Sequence, residues 1–210
     1  MKPSKLFLIK NLSRRTGFGF VFMLLIVCSC APVRPTIPAY HGSVQTFIEA
    51  ASSKFDSMKS TLSVHFEKRN GRKLSADAVA SITPGRVSVR FYRMGMLVGD
   101  LDTLAGRRAG YEVYEGVLKK AFMWWRIPGY QTQELPGEVM LATVNRKLIL
   151  AARTYVPIRQ TISLPDSDAI VTYSRYREVE GSFWYPFNIR VIYRGNSLEI
   201  KVSRVSLTHS

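Results

Sequence analysis

The chain contains two cysteines, Cys28 and Cys30, and the thiolate is the strongest nucleophile among protein side chains. A branched apolar residue, Val27, stands three positions before Cys30, and a small residue, Ser29, stands directly before it. This spacing is typical of the site at which a bacterial lipoprotein signal is cleaved, leaving a lipid-bearing cysteine as the first mature residue. Cys28 follows bulky Val27 and suits such a cleavage less well, so we predict lipidation at Cys30.

The residues before Cys30 have the three parts of a secretory signal. A basic start without acids is followed by the uncharged, strongly apolar run 17–27, and Ser29 supplies the small residue at the cut. The apolar run is short of the roughly 20 residues that span a bilayer. We therefore predict a signal peptide over residues 1–29, a lipidated, proline-containing tether over 30–42 and one domain over 43–210. An ordinary signal peptide with an incidental cysteine is the alternative.

The residue after the predicted lipid site bears on which membrane receives the anchor. Asp at this position favours retention in the inner membrane, whereas here the residue is Ala31. A single acyl chain binds a membrane only reversibly, and two or more chains anchor a protein stably. We expect a lipid-anchored outer-membrane protein with its domain in the periplasm, and the periplasmic side of the inner membrane is the alternative.

The charge balance narrows the class of partner. The whole chain carries a formal charge of +15, and the predicted signal holds five positive charges and no acid, which leaves +10 on the mature part. Such a balance suits an anionic membrane, lipid headgroups or acidic protein partners. We expect no nucleic-acid partner, because the chain is predicted to be exported. A basic surface that serves solubility alone is the alternative.

The other side chains that could do chemistry do not converge in the sequence. His41, His65 and His209 are scattered, without the spacing of a zinc site, and no cysteine follows Cys30. Asp100 and Asp102 share one face of a predicted strand, where solvated acids are common. The chain has no P-loop, dinucleotide-binding fingerprint or nucleophilic-serine motif. We therefore predict no enzymatic activity, no cofactor and no metal.

Four large apolar residues follow one another in the middle of the chain: Phe122, Met123, Trp124 and Trp125. Cations flank them on both sides, namely Lys119, Lys120 and Arg126. Trp favours the headgroup boundary of a bilayer and cations meet anionic lipid, so these four residues are candidates for contact with a membrane or ligand. Burial at a strand end under the sheet is the alternative. The surrounding residues 117–127 fit a strand, a helix or a protruding loop.

Two periodicities divide the domain. Ser43 could cap a helix over 44–58, whose apolar stripe lies at helical spacing: Val44, Phe47, Ile48, Ala51, Phe55 and Met58. From Thr61 onward apolar residues alternate with polar ones, as in half-buried strands, and Tyr111 and Val113 are assigned to one of them. Turns are predicted at Asn70–Gly71, Pro84–Gly85, Gly106–Arg108, Asn145–Arg146, Pro165–Asp168 and Arg194–Asn196. A helix is the alternative for residues 139–152. The pattern predicts an antiparallel meander covered by an amphipathic helix.

The stretch 148–160 fits a strand, a turn ending in Pro157 and a following strand, and the stretch 184–189 opens a later strand with the aromatic-proline pair Tyr185–Pro186. The chain then closes with a hairpin of alternating apolar residues, Ile189 and Val191 against Leu198, Ile200 and Val202. This order resembles the Lol family of periplasmic lipoprotein carriers and outer-membrane receptors, LolA and LolB. The resemblance implies a mostly β, α+β fold, in which a strongly curved antiparallel sheet, a half-open barrel, is covered by the N-terminal amphipathic helix over an apolar cavity that takes acyl chains.

The anchor, the order of the elements and this resemblance together predict an outer-membrane lipoprotein. It would bind acyl chains or lipidated proteins in an apolar cavity and act in lipoprotein or lipid trafficking or in envelope biogenesis. The alternative is a structural lipoprotein without lipid cargo, which docks an envelope protein complex through its basic surface.

Overall fold

The computed structural model describes residues 36–84, 86–100 and 111–208. The predicted signal peptide, Cys30 and the turn at 106–108 lie outside the described residues, as do Gly85, Asp102 and His209.

The first helix, α1, spans Val44–Lys54. It begins where predicted, because the Ser43 hydroxyl accepts a hydrogen bond from the Thr46 N–H at 3.1 Å. The predicted end at Met58 was too late. The backbone is already extended at Phe55, with φ −130° and ψ 108°. Phe55 and Met58 stay buried on the strand side of the junction, so the apolar spacing continues after the helix has ended.

Within residues 36–84, 86–100 and 111–208, eleven strands follow one another along the chain. Their bounds are β1 Ser57–Glu67, β2 Lys73–Ile82, β3 Val87–Arg93, β4 Met96–Asp100, β5 Gln131–Leu135, β6 Glu138–Thr143, β7 Arg146–Ala151, β8 Pro157–Ile162, β9 Ala169–Val179, β10 Phe183–Tyr193 and β11 Asn196–Thr208. They form one antiparallel sheet in the order β4-β3-β2-β1-β11-β10-β9-β8-β7-β6-β5. A short 3₁₀ turn, Glu180–Ser182, joins β9 to β10.

The pairing of β1 with β11 joins the two halves of this meander. Met58 lies opposite Leu207 and Val64 lies opposite Ile200, so the apolar residues of both strands share the inner face. The outermost strands β4 and β5 stay apart, which leaves the sheet curved and unclosed. The predicted mostly β fold with a curved, half-open antiparallel sheet and an N-terminal helix is therefore confirmed.

The second helix, α2, spans Tyr111–Phe122, so the strand predicted at Tyr111 and Val113 was wrong. The helix buries residues that recur at spacings of three and four along its C-terminal half: Val117, Leu118, Ala121 and Phe122. Of the three alternatives for residues 117–127, the structure has a helix followed by a turn. The buried residues of both helices belong to one core on the inner face of the sheet.

Candidate functional site

The four apolar residues in the middle of the chain lie in the core. The exposed fractions of Phe122, Met123, Trp124 and Trp125 are 1%, 3%, 0% and 0%. A membrane-facing role for these side chains does not fit that burial, because none of them reaches solvent. The alternative of burial fits, although at the end of α2 and the turn after it, not at the end of a strand.

The two indoles join the helices to the sheet. The ring of Trp124 stacks on Phe183 of β10 at a centroid distance of 5.7 Å and on Phe47 of α1 at 6.1 Å. The ring of Trp125 meets Phe183 edge to face at 5.1 Å, and its N–H donates to the Phe55 carbonyl at 3.3 Å. Side chains of the protein itself therefore fill the space at this point between α1 and the sheet.

A buried guanidinium holds the end of α2 against the sheet. Arg146 of β7 is 5% exposed and donates to the carbonyls of Lys120 at 3.0 Å, Trp124 at 2.8 Å and Arg126 at 2.7 Å. Its Nε and Nη2 also donate to Gln160 Oε1, at 3.0 and 2.6 Å. Carbonyls at the C-terminus of a helix carry partial negative charge, which favours a cation there. Among the described residues no ion pair includes Arg146, and burial lowers its pKa to about 10.

Two buried tyrosines add to this hold on α2. Tyr173 donates to the Ala121 carbonyl at 3.2 Å, and Tyr185 donates to the Phe122 carbonyl at 3.1 Å. Burial raises the pKa of both hydroxyls above the usual 10.0. The last carbonyls of α2, which have no partner within the helix, are thus satisfied by side chains of the sheet.

A groove of about 420 Å³ lies beside α1, next to this filled core. Four segments line it: Pro38, Ala39, Tyr40 and His41 before α1; Phe47, Ala50, Ala51, Lys54 and Phe55 of α1 and its end; Thr154 and Val156 between β7 and β8; and Ser182, Phe183 and Trp184 at the start of β10. Most of these side chains are apolar. The groove shares Phe47 and Phe183 with the aromatic cluster, so its floor is backed by the core.

Residues 37–42, here called the strap, form one wall of the groove and are fixed at two points. The Tyr40 N–H donates to the Arg153 carbonyl at 2.8 Å, and the Tyr155 hydroxyl donates to the Gly42 carbonyl at 3.2 Å. The Tyr40 ring also contacts the rings of Phe47 and Tyr155, at centroid distances of 5.1 and 5.8 Å. The strap is therefore held between α1 and the connection from β7 to β8.

Strained backbone occurs on either side of the groove. Tyr155, beside two lining residues, has φ +50°, and Ser182, which lines the groove, has φ +66°. Left-handed conformations cost non-glycine residues on the order of 1 kcal/mol or more and cluster at binding sites. Met94, Arg175 and Arg194, which do not line the groove, also have positive φ, so strain alone does not mark the site.

The basic lining residues of the groove are Lys54 and His41, and none of its lining residues is an Asp or Glu. Lys54 is exposed, with its Nζ atom 5.2 Å from the centroid of the Phe55 ring. The arrangement can hold an apolar chain along the floor and a carboxylate or phosphate at the mouth, because the lysine offers charge-assisted hydrogen bonds there.

The other residues considered from the sequence do not meet at a site. His65 bonds with Ser75 at 2.9 Å between β1 and β2, remote in sequence from His41 at the groove. No group of three or more His, Cys, Asp or Glu side chains that could hold a metal occurs among the described residues. Within residues 36–84, 86–100 and 111–208, no helix is long and apolar enough to cross a bilayer.

The fold defines a class of proteins in which a half-open antiparallel sheet carries helices on its inner face. In structure the chain is similar to a LolA superfamily protein from Nitrosomonas europaea, with 11% identity, a TM-score of 0.48 and coverage of 80% of this chain and 95% of that one. It is also similar to an outer membrane lipoprotein-sorting protein domain from Vibrio parahaemolyticus, with 9% identity, a TM-score of 0.46 and coverage of 78% and 90%.

A third similar structure is that of a DUF1329 family protein from Desulfovibrio piger, with 11% identity, a TM-score of 0.45 and coverage of 77% and 89%. No family model and no curated protein matches the sequence. Likenesses this distant carry no information about the ligand or partner of this chain.

Proposed function

We propose that this protein is an envelope lipoprotein that binds one acyl chain of a lipid or lipidated protein in the groove beside α1, in lipoprotein or lipid trafficking. The observation that carries the proposal is the groove itself, about 420 Å³, mostly apolar and with Lys54 at its mouth. Small-molecule sites have volumes of roughly 300–1,000 Å³, an apolar lining and a few polar groups that fix orientation. The predicted lipid anchor at Cys30 and the net positive charge agree with work at an anionic membrane.

The expected affinity follows from the area that a chain would bury. Each buried methylene contributes about 0.8 kcal/mol, so about ten of them contribute roughly 8 kcal/mol. That gain corresponds to a dissociation constant of about 1 μM before the costs of ordering the chain are subtracted. These costs make the net affinity weaker than that limit, which suits a site that takes up a chain and releases it again.

The test uses the mature chain with Cys30→Ser, so that no lipid of its own is present, and a fluorescent fatty acid as the probe. Ala50→Trp adds bulk at the groove, and Ser53→Trp makes the same addition at an exposed residue of α1 outside the lining. We expect saturable binding that Ala50→Trp weakens about tenfold, or 1.4 kcal/mol, and that Ser53→Trp leaves within about twofold. Equal effects of the two variants, or no saturable binding, would contradict the proposal.

A second pair of variants tests the mouth. Lys54→Glu reverses the charge beside the groove, whereas Lys59→Glu makes the same change on an exposed residue of β1. We expect Lys54→Glu to weaken the fatty acid severalfold and to leave its methyl ester unaffected, because only the acid carries charge to the mouth. If both ligands respond alike to both variants, Lys54 does not recognise the ligand.

A further inference from the structure

The first residues that line the groove lie within the predicted tether, residues 30–42. Pro38 is the first lining residue of the groove, and it lies eight positions after Cys30, the predicted site of the lipid. A chain of eight residues reaches about 26–29 Å when fully extended. The lipid on Cys30 therefore lies within reach of the groove of its own molecule.

We propose that the groove holds one acyl chain of the protein's own lipid on Cys30 when no other ligand occupies it. This inference rests on the proposed function, because it uses the same groove and the same ligand chemistry. It names the source of the chain. The occupant is the lipidated N-terminus of the same molecule, which continues directly from the strap that forms one wall of the groove.

The short tether gives the protein's own lipid an advantage over ligands in solution. Ligands joined by short linkers have effective concentrations in the millimolar range. When the acyl chain on Cys30 leaves the groove it enters the bilayer and not water, so the hydrophobic gain largely cancels and the short tether supplies the advantage over an added ligand. A competing lipid must displace the anchor chain, so the apparent affinity for added ligand falls when Cys30 carries its lipid.

Anchorage to the membrane is compatible with this state. A lipidated cysteine with two or three chains can place one in the groove while the rest stay in the bilayer. A single remaining chain holds a protein only reversibly, whereas two hold it stably. Occupation of the groove by one chain thus loosens attachment of a two-chain anchor, and release of that chain strengthens it.

The first experiment uses the lipidated protein in nanodiscs, with a photoreactive fatty acid incorporated into its anchor. After irradiation, peptide mapping locates the crosslinks, and an equal amount of ¹⁵N-labelled protein without the photoreactive group reports transfer between molecules. We expect crosslinks to groove-lining peptides of the unlabelled protein alone, unchanged on dilution. Ala50→Trp should reduce these crosslinks clearly, and Ser53→Trp should leave them unchanged. Crosslinks confined to lipid, or an N-terminus without lipid by intact mass, would overturn the inference.

A second experiment separates this inference from the proposed function. The fluorescent fatty acid is titrated into the lipidated protein and into the Cys30→Ser protein under the same conditions. We expect binding to the lipidated form to be at least about tenfold weaker, and insertion of a long Gly/Ser segment after Pro35 to reduce that difference by lowering the effective concentration. Equal binding to both forms would refute occupation by the protein's own lipid and leave the proposed function intact. No binding to the Cys30→Ser protein would refute both.

Discussion

Arg146 provides a direct test of how the end of α2 is held. The substitution Arg146→Met keeps an unbranched apolar stem and removes the guanidinium. It leaves the carbonyls of Lys120, Trp124 and Arg126 without their donor. The Oε1 atom of Gln160 loses both of its bonds from Arg146 and keeps only the long contact of 3.5 Å with the Tyr173 hydroxyl. We expect a clear loss of stability, because the protein closes over these acceptors and water cannot replace the donor at all of them.

Two effects of opposite sign decide the magnitude. Removing a buried cation relieves its desolvation, and for this reason apolar replacement of whole buried ion pairs is often neutral. Here the acceptors remain, and each buried polar group without a partner costs about 1–3 kcal/mol. The bonds to Trp124 and Gln160 are buried, and those to Lys120 and Arg126 are half-buried, so the cost of the orphaned acceptors exceeds the relief. The net loss should be about 3 kcal/mol.

The assay is urea unfolding followed by tryptophan fluorescence, since Trp124 and Trp125 are fully buried beside the altered site. With a slope of about 2 kcal/mol per molar, the midpoint should fall by roughly 1.5 M. Arg159→Met, at an exposed position on the adjacent strand β8, is the matched control and should change the midpoint little. If the two variants unfold within about 0.5 kcal/mol of each other, Arg146 does not hold α2 as described.

Two further predictions concern pH and the strap. Burial raises the pKa of Tyr173, Tyr176 and Tyr185 in the folded protein. Their contribution to stability is therefore complete below about pH 10 and is lost as the pH rises through the raised pKa values. The lowered pKa of Arg146 changes stability with pH in the opposite direction. The free energy of unfolding should therefore fall by roughly 3 kcal/mol per pH unit above pH 10. Urea titration with tyrosinate absorbance measures this change. Constant stability up to pH 12 would contradict the burial of these hydroxyls. Tyr155→Phe removes the hydrogen bond to the Gly42 carbonyl. We expect the strap amides to exchange severalfold faster in hydrogen-exchange mass spectrometry, with global stability lowered by no more than about 1 kcal/mol. Unchanged exchange would show that ring contacts alone hold the strap.

The sheet could be predicted from the sequence because its signals are local. Alternation of apolar and polar residues follows from the pleat, and Asn70–Gly71 does lie in a hairpin turn. The turn predicted at Asn145–Arg146 lies one residue earlier, at Val144–Asn145, because Arg146 already pairs with Thr143 as the first residue of β7. The helix α2 was missed because Tyr111 and Val113 alternate like a strand, while the helical spacing shows only from Val117 onward. Where two periods fit a short segment equally well, tertiary packing decides between them.

The candidate site was less predictable, because its parts are joined by tertiary contacts. The run Phe122–Trp125 has no polar face, so composition alone fits a membrane contact and a core equally. The hydrogen bonds from buried Arg146 to the carbonyls of Lys120 and Trp124 hold this run in the core. The alternation of Arg146, Leu148 and Leu150 along β7 places a cation on the apolar face of the strand. The sequence pattern assigns Arg146 to a turn, and for this reason the alternation does not reveal the buried cation in advance. The groove combines four segments distant in the chain, and no local pattern marks such a combination.

The filled interior determines where an acyl chain can bind. With the indoles of Trp124 and Trp125 seated between α1 and the sheet, the described cavity that suits a chain lies beside α1, with the strap as one of its walls. Opening the strap breaks the hydrogen bonds of Tyr40 and Tyr155, each worth about 1 kcal/mol. That cost is small beside the roughly 8 kcal/mol gained from about ten buried methylenes. An arriving chain can therefore displace the strap without unfolding the core.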